Sequence, residues 1–396
     1  MLSLDKVFHA QMVLKNIIRE TSVVRAYGIA PDCELYLKPE NLQITGSFKV
    51  RGSAYKIATL SDEEKKKGVI ACSAGNHAQG VALAATKNGI KSLICLPDTA
   101  PISKVEATKG FGAEVCLVEG CYDDAYRKAL ELKEREAYTF VHPFDDENVI
   151  AGQGTIALEI LNELDDIDAI VVPIGGGGLI SGIAYTAKQI RPSVKIYGVQ
   201  AAGAPSMYHS VNDGAIECLS SVSTIADGIA VKKPGENTYA LVKEYVDEIA
   251  LVTDDEVASA ILALIEKQKM IAEGAGAVAV AAVMTDKFDL KGKRVVAVVS
   301  GGNIDVTSLS RVIDRGLLNS GRSSSLLIEL IDKPGQLKEI SRIIADCGGN
   351  VTGVHYEKGN TESVNGCFLR IEMETRDYEH VNLITQTLRD EGFKLV

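Results

Sequence analysis

Short apolar runs rich in branched residues punctuate the first three quarters of the chain: "GVIACS", "KSLICLP", "AEVCLVE", "AIVVPI", "VKIYGVQ" and "RVVAVVS". Segments with helical apolar spacing separate several of them, among them "NHAQGVALAATKNG" and "LISGIAYTAKQIRP". Near-continuous apolar strands alternating with helices predict an α/β fold whose parallel sheet is covered on both faces. Ligands of open α/β sheets bind outside the carboxyl ends of the strands, so the loops after these runs are where chemistry is expected.

The pattern changes near residue 317, where "LLNSGRSSS" is polar and rich in small residues, as a linker would be. Beyond it the spacing predicts a strand "LLIELI", a turn "DKPG", a helix "QLKEISRIIADCGG" and strands "NVTGVHYEK" and "CFLRIEMET" joined by the polar hairpin loop "GNTESVNG". A helix "EHVNLITQTLRDEG" and a last strand "FKLV" complete a β-α-β-β-α-β order, the ferredoxin-like arrangement.

Length and charge narrow the function classes. With 396 residues, 46% of them apolar, two or three packed units are expected rather than one core. The net charge of −11 and the lack of any long Lys/Arg tract argue against nucleic acid as a partner. The N-terminal "MLSLDKVFHAQMVLKNIIRETSV" scatters charge among its apolar residues and predicts an amphipathic helix rather than a signal peptide. No stretch approaches the roughly 20 apolar residues of a membrane span, so a soluble cytoplasmic protein is expected. The eight cysteines form no C-x-x-C pair and only six histidines accompany them, which predicts buried reduced thiols and no metal site.

Four segments can carry chemistry. Gly175, Gly176, Gly177 and Gly178 follow the run "AIVVPI" and precede a helix. Consecutive glycines make sense where backbone N–H groups crowd around an anion such as a phosphate at a helix N-terminus, or where a turn must pack closely. No Lys-Ser/Thr pair follows, as a Walker loop requires, and Gln200 stands near where a dinucleotide fold would place an acid. The loop Ser73, Ala74, Gly75, Asn76 and His77 can hold a carboxylate, although Ser73 would also serve as a helix cap and His77 as a packed residue. Ser300 ends the run "RVVAVVS" ahead of two glycines, where its hydroxyl can face a ligand or close a turn. Lys49 in "TGSFKVRG" has the apolar neighbours Phe48 and Val50 and the cation Arg51 two positions on. An apolar pocket and a nearby cation both lower a lysine pKa, as Schiff-base chemistry requires.

Seven motifs in order, "TGSFKVRG", "SAGNHAQG", "IAGQGTIALEI", "PIGGGGLISG", "TIADGIAV", "IAEGAGAVA" and "SGGNID", resemble the fold-type II pyridoxal-phosphate enzymes of the threonine dehydratase and serine racemase group. The remainder resembles an ACT regulatory domain, with "DKPG" and "GGNV" at the expected places. The resemblance implies two open twisted parallel-sheet α/β domains, a large one from residues 1–52 and 155–316 and a small one from 53–154. A linker at 317–323 and an ACT domain at 324–396 would follow. It implies that Lys49 carries pyridoxal phosphate with Phe48 beside the ring, and that Asn76 bonds the ring's phenolic oxygen. It further implies that Gly175 to Gly178 bind the phosphate, that Ser300 faces the pyridine nitrogen, and that Ser73 to His77 hold the substrate carboxylate. Gly228 would lie near the ring.

The activity so implied is β-elimination from L-threonine to 2-oxobutanoate and ammonia, and from L-serine to pyruvate, by a homodimer or homotetramer. Serine racemases of the group carry a second serine where this chain has Ala74, and two carboxylates for a divalent cation where it has Gln200 and Ser206. Racemisation and a divalent metal are therefore disfavoured, while a monovalent cation on carbonyl oxygens remains compatible. The ACT resemblance implies an amino-acid effector near Gly335 and Asn350, isoleucine or valine being the expectation because isoleucine lies downstream of 2-oxobutanoate. The rivals are a serine-specific dehydratase or racemase on the same fold, a C-terminal module used only for dimerisation, and a catalytically silent amino-acid sensor.

Overall fold

The structure, a computed structural model, describes residues 2–357 and 366–396; of the predicted hairpin loop "GNTESVNG", all but Gly366 lies outside the described residues. The chain divides into two compact units, up to Leu309 and from Ser310 onward.

In the first unit the strands are β1 (Val24–Arg25), β2 (Glu34–Pro39), β3 (Val69–Cys72), β4 (Ser92–Pro97), β5 (Glu114–Val118), β6 (Thr139–Phe140), β7 (Ala169–Pro173), β8 (Lys195–Ala201), β9 (Glu248–Val252) and β10 (Arg294–Val299). They form a six-stranded sheet ordered β1-β2-β10-β7-β8-β9 and a four-stranded sheet ordered β5-β4-β3-β6. Every pairing is parallel except β1 with β2. Strands β3 and β7 are buried at every position because helices cover both faces, which is why they read as unbroken apolar runs. In the larger sheet Ile170, Val172, Val296 and Val298 pack with Ile156 and Ile160 of the helix Glu147–Glu163 and Ile183 of the helix Gly178–Ile190. In the smaller sheet Ile70, Cys72 and Cys95 pack on Ala125, Ala129 and Leu132 of the helix Tyr122–Glu136.

The second unit is an antiparallel sheet of β11 (Ser323–Ile331), β12 (Asn350–Glu357), β13 (Gly366–Glu374) and β14 (Lys394–Leu395), ordered β12-β13-β11-β14. The helices Gln336–Asp346 and Tyr378–Asp390 bury Ile340, Ile344, Ile384 and Leu388 against Ile328 and Leu369, giving the predicted ferredoxin-like order. Most of the segment read as a linker is regular structure. Residues 317–319 close the helix Val306–Asn319 and Ser323 opens β11, so only 320–322 join them.

The cysteines are free but not uniformly buried, since Cys121 and Cys218 are exposed. Burial pushes the Cys72 thiol up to about 12, the behaviour of an inert packing residue. Among the described residues no helix is long and apolar enough to cross a membrane.

Candidate active site

Parallel pairing of β2 with β10, with Pro39 opposite Val299, sends the two following loops out side by side. They stay together: Ser47 bridges Gly301, and the Phe48 N–H donates to the Ser300 carbonyl at 3.1 Å. Lys49 therefore begins the helix Lys49–Ala58 beside Ser300, although 251 positions separate them in sequence (300 − 49). Its Nζ donates to the Pro143 carbonyl at 2.9 Å and lies 5.3 Å from the Phe48 ring centroid. Burial pushes the amine down to about 8, partly opposed by the Glu273 carboxyl.

Arg51 is not the cation that tunes this lysine. Two positions along a helix turn a side chain by about 200°, so Arg51 points away. Its guanidinium is fully buried between Glu40, at 2.7 and 2.8 Å, and Glu159, at 2.5 and 2.8 Å. The lowered Lys49 pKa comes from burial.

The glycine loop packs closely, as its sequence allows. A Cβ on Gly176 would stand 2.4 Å from the Phe144 ring, and one on Gly177 would stand 2.7 Å from Met207 Cε, so bulk is excluded by packing. Gly177 also sits at φ +97°, where only glycine is unstrained. The helix Gly178–Ile190 starts here, and its first bond back to the loop is Ser181 N–H to the Gly177 carbonyl at 2.9 Å. The preceding N–H groups lack an intrahelical carbonyl, the geometry a cradle for an anion requires. Phe144 follows Pro143, the residue that holds Lys49, so one segment links the lysine to the cradle.

The third wall is built around Glu273, which sequence reasoning missed. Asn76 Nδ2 donates to Glu273 Oε1 at 2.6 Å, and a Cβ on Gly301 would lie 2.4 Å from the same oxygen. Gly228 faces it too, since its Cβ would meet Ala275 at 3.0 Å and Glu273 at 3.4 Å. Ser300 is buried and its Oγ donates to the Ala275 carbonyl at 3.1 Å. Burial pushes the Glu273 carboxyl up to about 7, with Asp227 adding to the rise and the Asn76 hydrogen bond opposing it. The sequence signal was available: a lone acid inside the apolar stretch "IAEGAGAVA".

In the loop after β3, Ser73 Oγ accepts from the Gly75 N–H at 3.2 Å, and a Cβ on Gly75 would meet nothing within 4 Å. The ring of His77, expected to help hold a carboxylate, is instead a packing element. Its Nε2 pairs with the Val141 carbonyl at 2.9 Å and its Nδ1 with Ser53 Oγ at 3.4 Å, while burial, helped by the Lys49 charge, pushes it down to about 3. Ala74, Gly75 and the backbone of Asn76 remain to line that face.

Gln200 and Ser206 brace loops. Gln200 Nε2 donates to the Ala204 carbonyl at 3.2 Å and its Oε1 accepts from the Tyr208 N–H at 2.7 Å, while Ser206 Oγ donates to the Val231 carbonyl at 2.7 Å. Among the described residues no cluster of three or more His, Cys, Asp or Glu could hold a metal. The two expected effector residues do not converge within one C-terminal unit. Gly335 lines a cavity of about 230 Å³ beyond the Ile331 end of β11, whereas Asn350 opens β12 and donates to Glu374 at 2.9 Å. Ile331 pairs with Gly366 and Asn350 with Glu374, at opposite ends of β13, roughly 27 Å apart.

The sequence profile described as "Pyridoxal-phosphate dependent enzyme" matches residues 14–301. The chain belongs to that family. Its relatives include the L-threonine ammonia-lyase of Thermotoga maritima, 48% identical over 100% of this chain and 99% of the relative. Among solved structures, the processed form of threonine deaminase isoform 2 from Solanum lycopersicum superposes with a TM-score of 0.75 at 39% identity, covering 78% of this chain and 93% of the other. Maize serine racemase superposes with a TM-score of 0.76 at 34% identity, covering 80% and 98%.

The residues present fit the family's cofactor. A pyridoxal-phosphate enzyme needs an amine that can lose its proton near neutrality and a nest of N–H groups for a phosphate; Lys49 and the loop Gly175–Gly178 supply both, joined by Pro143 and Phe144.

In this pyridoxal-phosphate enzyme Glu273 should also shape stability against pH. Its folded pKa of about 7 lies above the ordinary 4.5, so its contribution is fully present below about pH 4.5 and is lost as pH rises through 7. Urea unfolding from pH 5 to pH 8 is expected to show the native protein losing up to about 3 kcal/mol relative to Glu273→Gln. A constant difference across that range would exclude the assignment.

Proposed function

We propose that this enzyme eliminates the β-hydroxyl of L-threonine to give 2-oxobutanoate and ammonia, and of L-serine to give pyruvate and ammonia. The observation that carries the reading is Lys49, an amine lowered to about 8 and joined through Pro143 and Phe144 to the glycine cradle. Pyridoxal phosphate, when bound, supplies an electron sink at the substrate's Cα. Lys49 would hold it, the N–H groups at Gly175 to Gly178 would take its phosphate, Asn76 its phenolic oxygen, and the neutral hydroxyl of Ser300 would face its ring nitrogen. As a neutral amine Lys49 Nζ takes the Cα proton, and a pKa of about 8 suits a base working near neutral pH. The loop from Ser73 to Asn76 positions the substrate carboxylate through its backbone. Ala74 has no proton to deliver to the opposite face of Cα, which favours elimination over racemisation.

The full-length likeness to the Thermotoga maritima L-threonine ammonia-lyase supports threonine as substrate. We further read the C-terminal unit as an ACT regulatory domain in a cytoplasmic homo-oligomer. Its cavity, lined by the apolar Leu330, Val354 and Leu369 together with Asp332 and Lys333, has the composition to take a branched amino acid such as isoleucine or valine.

Purified protein incubated with L-threonine should release 2-oxobutanoate and ammonia in equal amounts, with slower release of pyruvate from L-serine. Loss of optical rotation without ammonia would establish a racemase instead. A cofactor-loaded protein that releases no oxo acid from either amino acid would leave only the sensor reading.

A further inference from the structure

We propose that Asn303 is a positioning residue that fixes which way the Asn76 amide faces, and so presents an N–H donor rather than a carbonyl to Glu273 and the cofactor. A backbone carbonyl can only accept a hydrogen bond. Asn303 Nδ2 lies 2.7 Å from the Thr45 carbonyl, so that end of the Asn303 side chain is its NH₂ group. The same Nδ2 lies 2.8 Å from Asn76 Oδ1, which must then be an acceptor. Asn76 Nδ2 therefore points the other way, to Glu273 Oε1 at 2.6 Å, with a second N–H to offer. One carbonyl thus sets the polarity of the whole chain from Thr45 through Asn303 and Asn76 to Glu273.

The fold makes room for this. Gly46 has φ +69°, and a Cβ there would stand 2.2 Å from Asn303 Oδ1, so only glycine at 46 admits the Asn303 side chain. The Gly302 N–H donates to the Gly46 carbonyl at 2.9 Å, and the Ser47–Gly301 bridge continues the strap. The segment ahead of Lys49 and the loop after β10 are thereby locked in the register that brings Asn303 to Asn76.

Asn303→Asp tests the idea because it keeps the shape and removes the donor. A carboxylate at 303 would demand a donor from Asn76 and turn its carbonyl toward Glu273. The experiment uses the cofactor-loaded full chain and reads the visible absorption of bound pyridoxal phosphate and its retention on dialysis and re-titration. The proteins compared are the native one, Asn303→Asp, Asn303→Ser, Asn76→Ala and the two double variants, with urea midpoints measured on each. Asn303→Asp is expected to shift the visible band and to weaken retention on the order of tenfold. In the Asn76→Ala background the same change should have less than about a twofold effect, since Asn303 acts through Asn76. Asn303→Ser, which loses the reach to Asn76, carries the same cycle should the aspartate variant not fold. A folded variant with native spectrum and retention, or an effect of undiminished size in the Asn76→Ala background, overturns the proposal. The proposal rests on Asn76 as a cofactor contact and not on the choice of amino acid, and no readout uses substrate, so its failure is distinguishable from failure of the threonine reading.

Discussion

Lys49→Ala is expected to lower kcat for oxo-acid release by roughly 10²- to 10⁴-fold, the range lost when a positioned general base is removed. The same variant should lose the visible absorption of covalently held cofactor while keeping its fold. Among the described residues the side chain makes one hydrogen bond, to the Pro143 carbonyl, and no ion pair, so little structure depends on it. Lys49→Arg sharpens the test. It keeps the charge, and the reach to Pro143 is similar, but a guanidinium stays protonated at every working pH and can neither form the covalent link nor accept the Cα proton. If charge at this position were what mattered, Lys49→Arg would retain activity; the base role predicts that it is as inactive as alanine. The pH profile gives a second reading. Activity of the native protein should rise with pH up to about 8, as the burial-lowered amine loses its proton, and then level off. A profile still climbing past pH 10 would mean that the amine is not the titrating base.

Much of this arrangement could be read from the chain, and the omissions have physical causes. The six apolar runs fall on β3, β4, β5, β7, β8 and β10; five of them are largely buried because helices cover both faces, whereas β5 is a half-exposed edge strand. Strand β2 escaped, although it lies next to β10 within the larger sheet, because "ELYLKP" alternates polar and apolar residues as a half-exposed strand would. Its Lys38 is in fact fully buried and tied to Glu159 at 2.6 Å, a partner 121 positions away (159 − 38). A buried charge and a solvated one look alike in sequence. The same limit explains the site. The glycine loop and Ser300 are legible because each follows a recognisable run at a strand end, and Lys49 because Phe48 and Val50 give it apolar neighbours along the chain. Glu273 and Asn303 are tied to Asn76 by contacts that span 197 and 227 positions, which no local pattern reveals. Arg51 misleads in the opposite sense: it is a neighbour of Lys49 along the chain, but helix geometry gives it to a different cluster.

That cluster sets the second large expectation: Arg51→Met should destabilise the protein by about 3–5 kcal/mol. Arg51 is fully buried, with bidentate bonds to both Glu40 and Glu159 and a further one to Thr155 Oγ1 at 3.1 Å. Thr21 Oγ1 donates to Glu40 at 2.5 Å, and Lys38 pairs with Glu159 and bonds the Thr21 carbonyl. Removing the guanidinium leaves the Glu159 carboxylate paired with Lys38 and leaves Glu40, among the described residues, with only the Thr21 hydroxyl as a side-chain donor. Burial pushes the Glu159 carboxyl up, but the hydrogen bonds and charges of Arg51 and Lys38 outweigh it and hold the group below the usual range. A depressed carboxyl contributes stability that is present above its unfolded pKa and lost as pH falls through the folded value. The native protein should therefore lose this increment on acidification, and Arg51→Met should lose less of it, so the two urea midpoints converge as pH drops below about 4.5. A triple replacement distinguishes an unpaired-charge penalty from lost packing. If the penalty lies in the orphaned charges, Arg51→Met with Glu40→Leu and Glu159→Leu should recover much of the loss by removing the carboxylates as well, with Lys38 keeping Glu163, 3.6 Å away, as a partner. If the triple variant is no more stable than Arg51→Met, packing of the helix that begins at Lys49 is what the guanidinium provides. In that case kcat, and not only the unfolding midpoint, should fall in every member of the series.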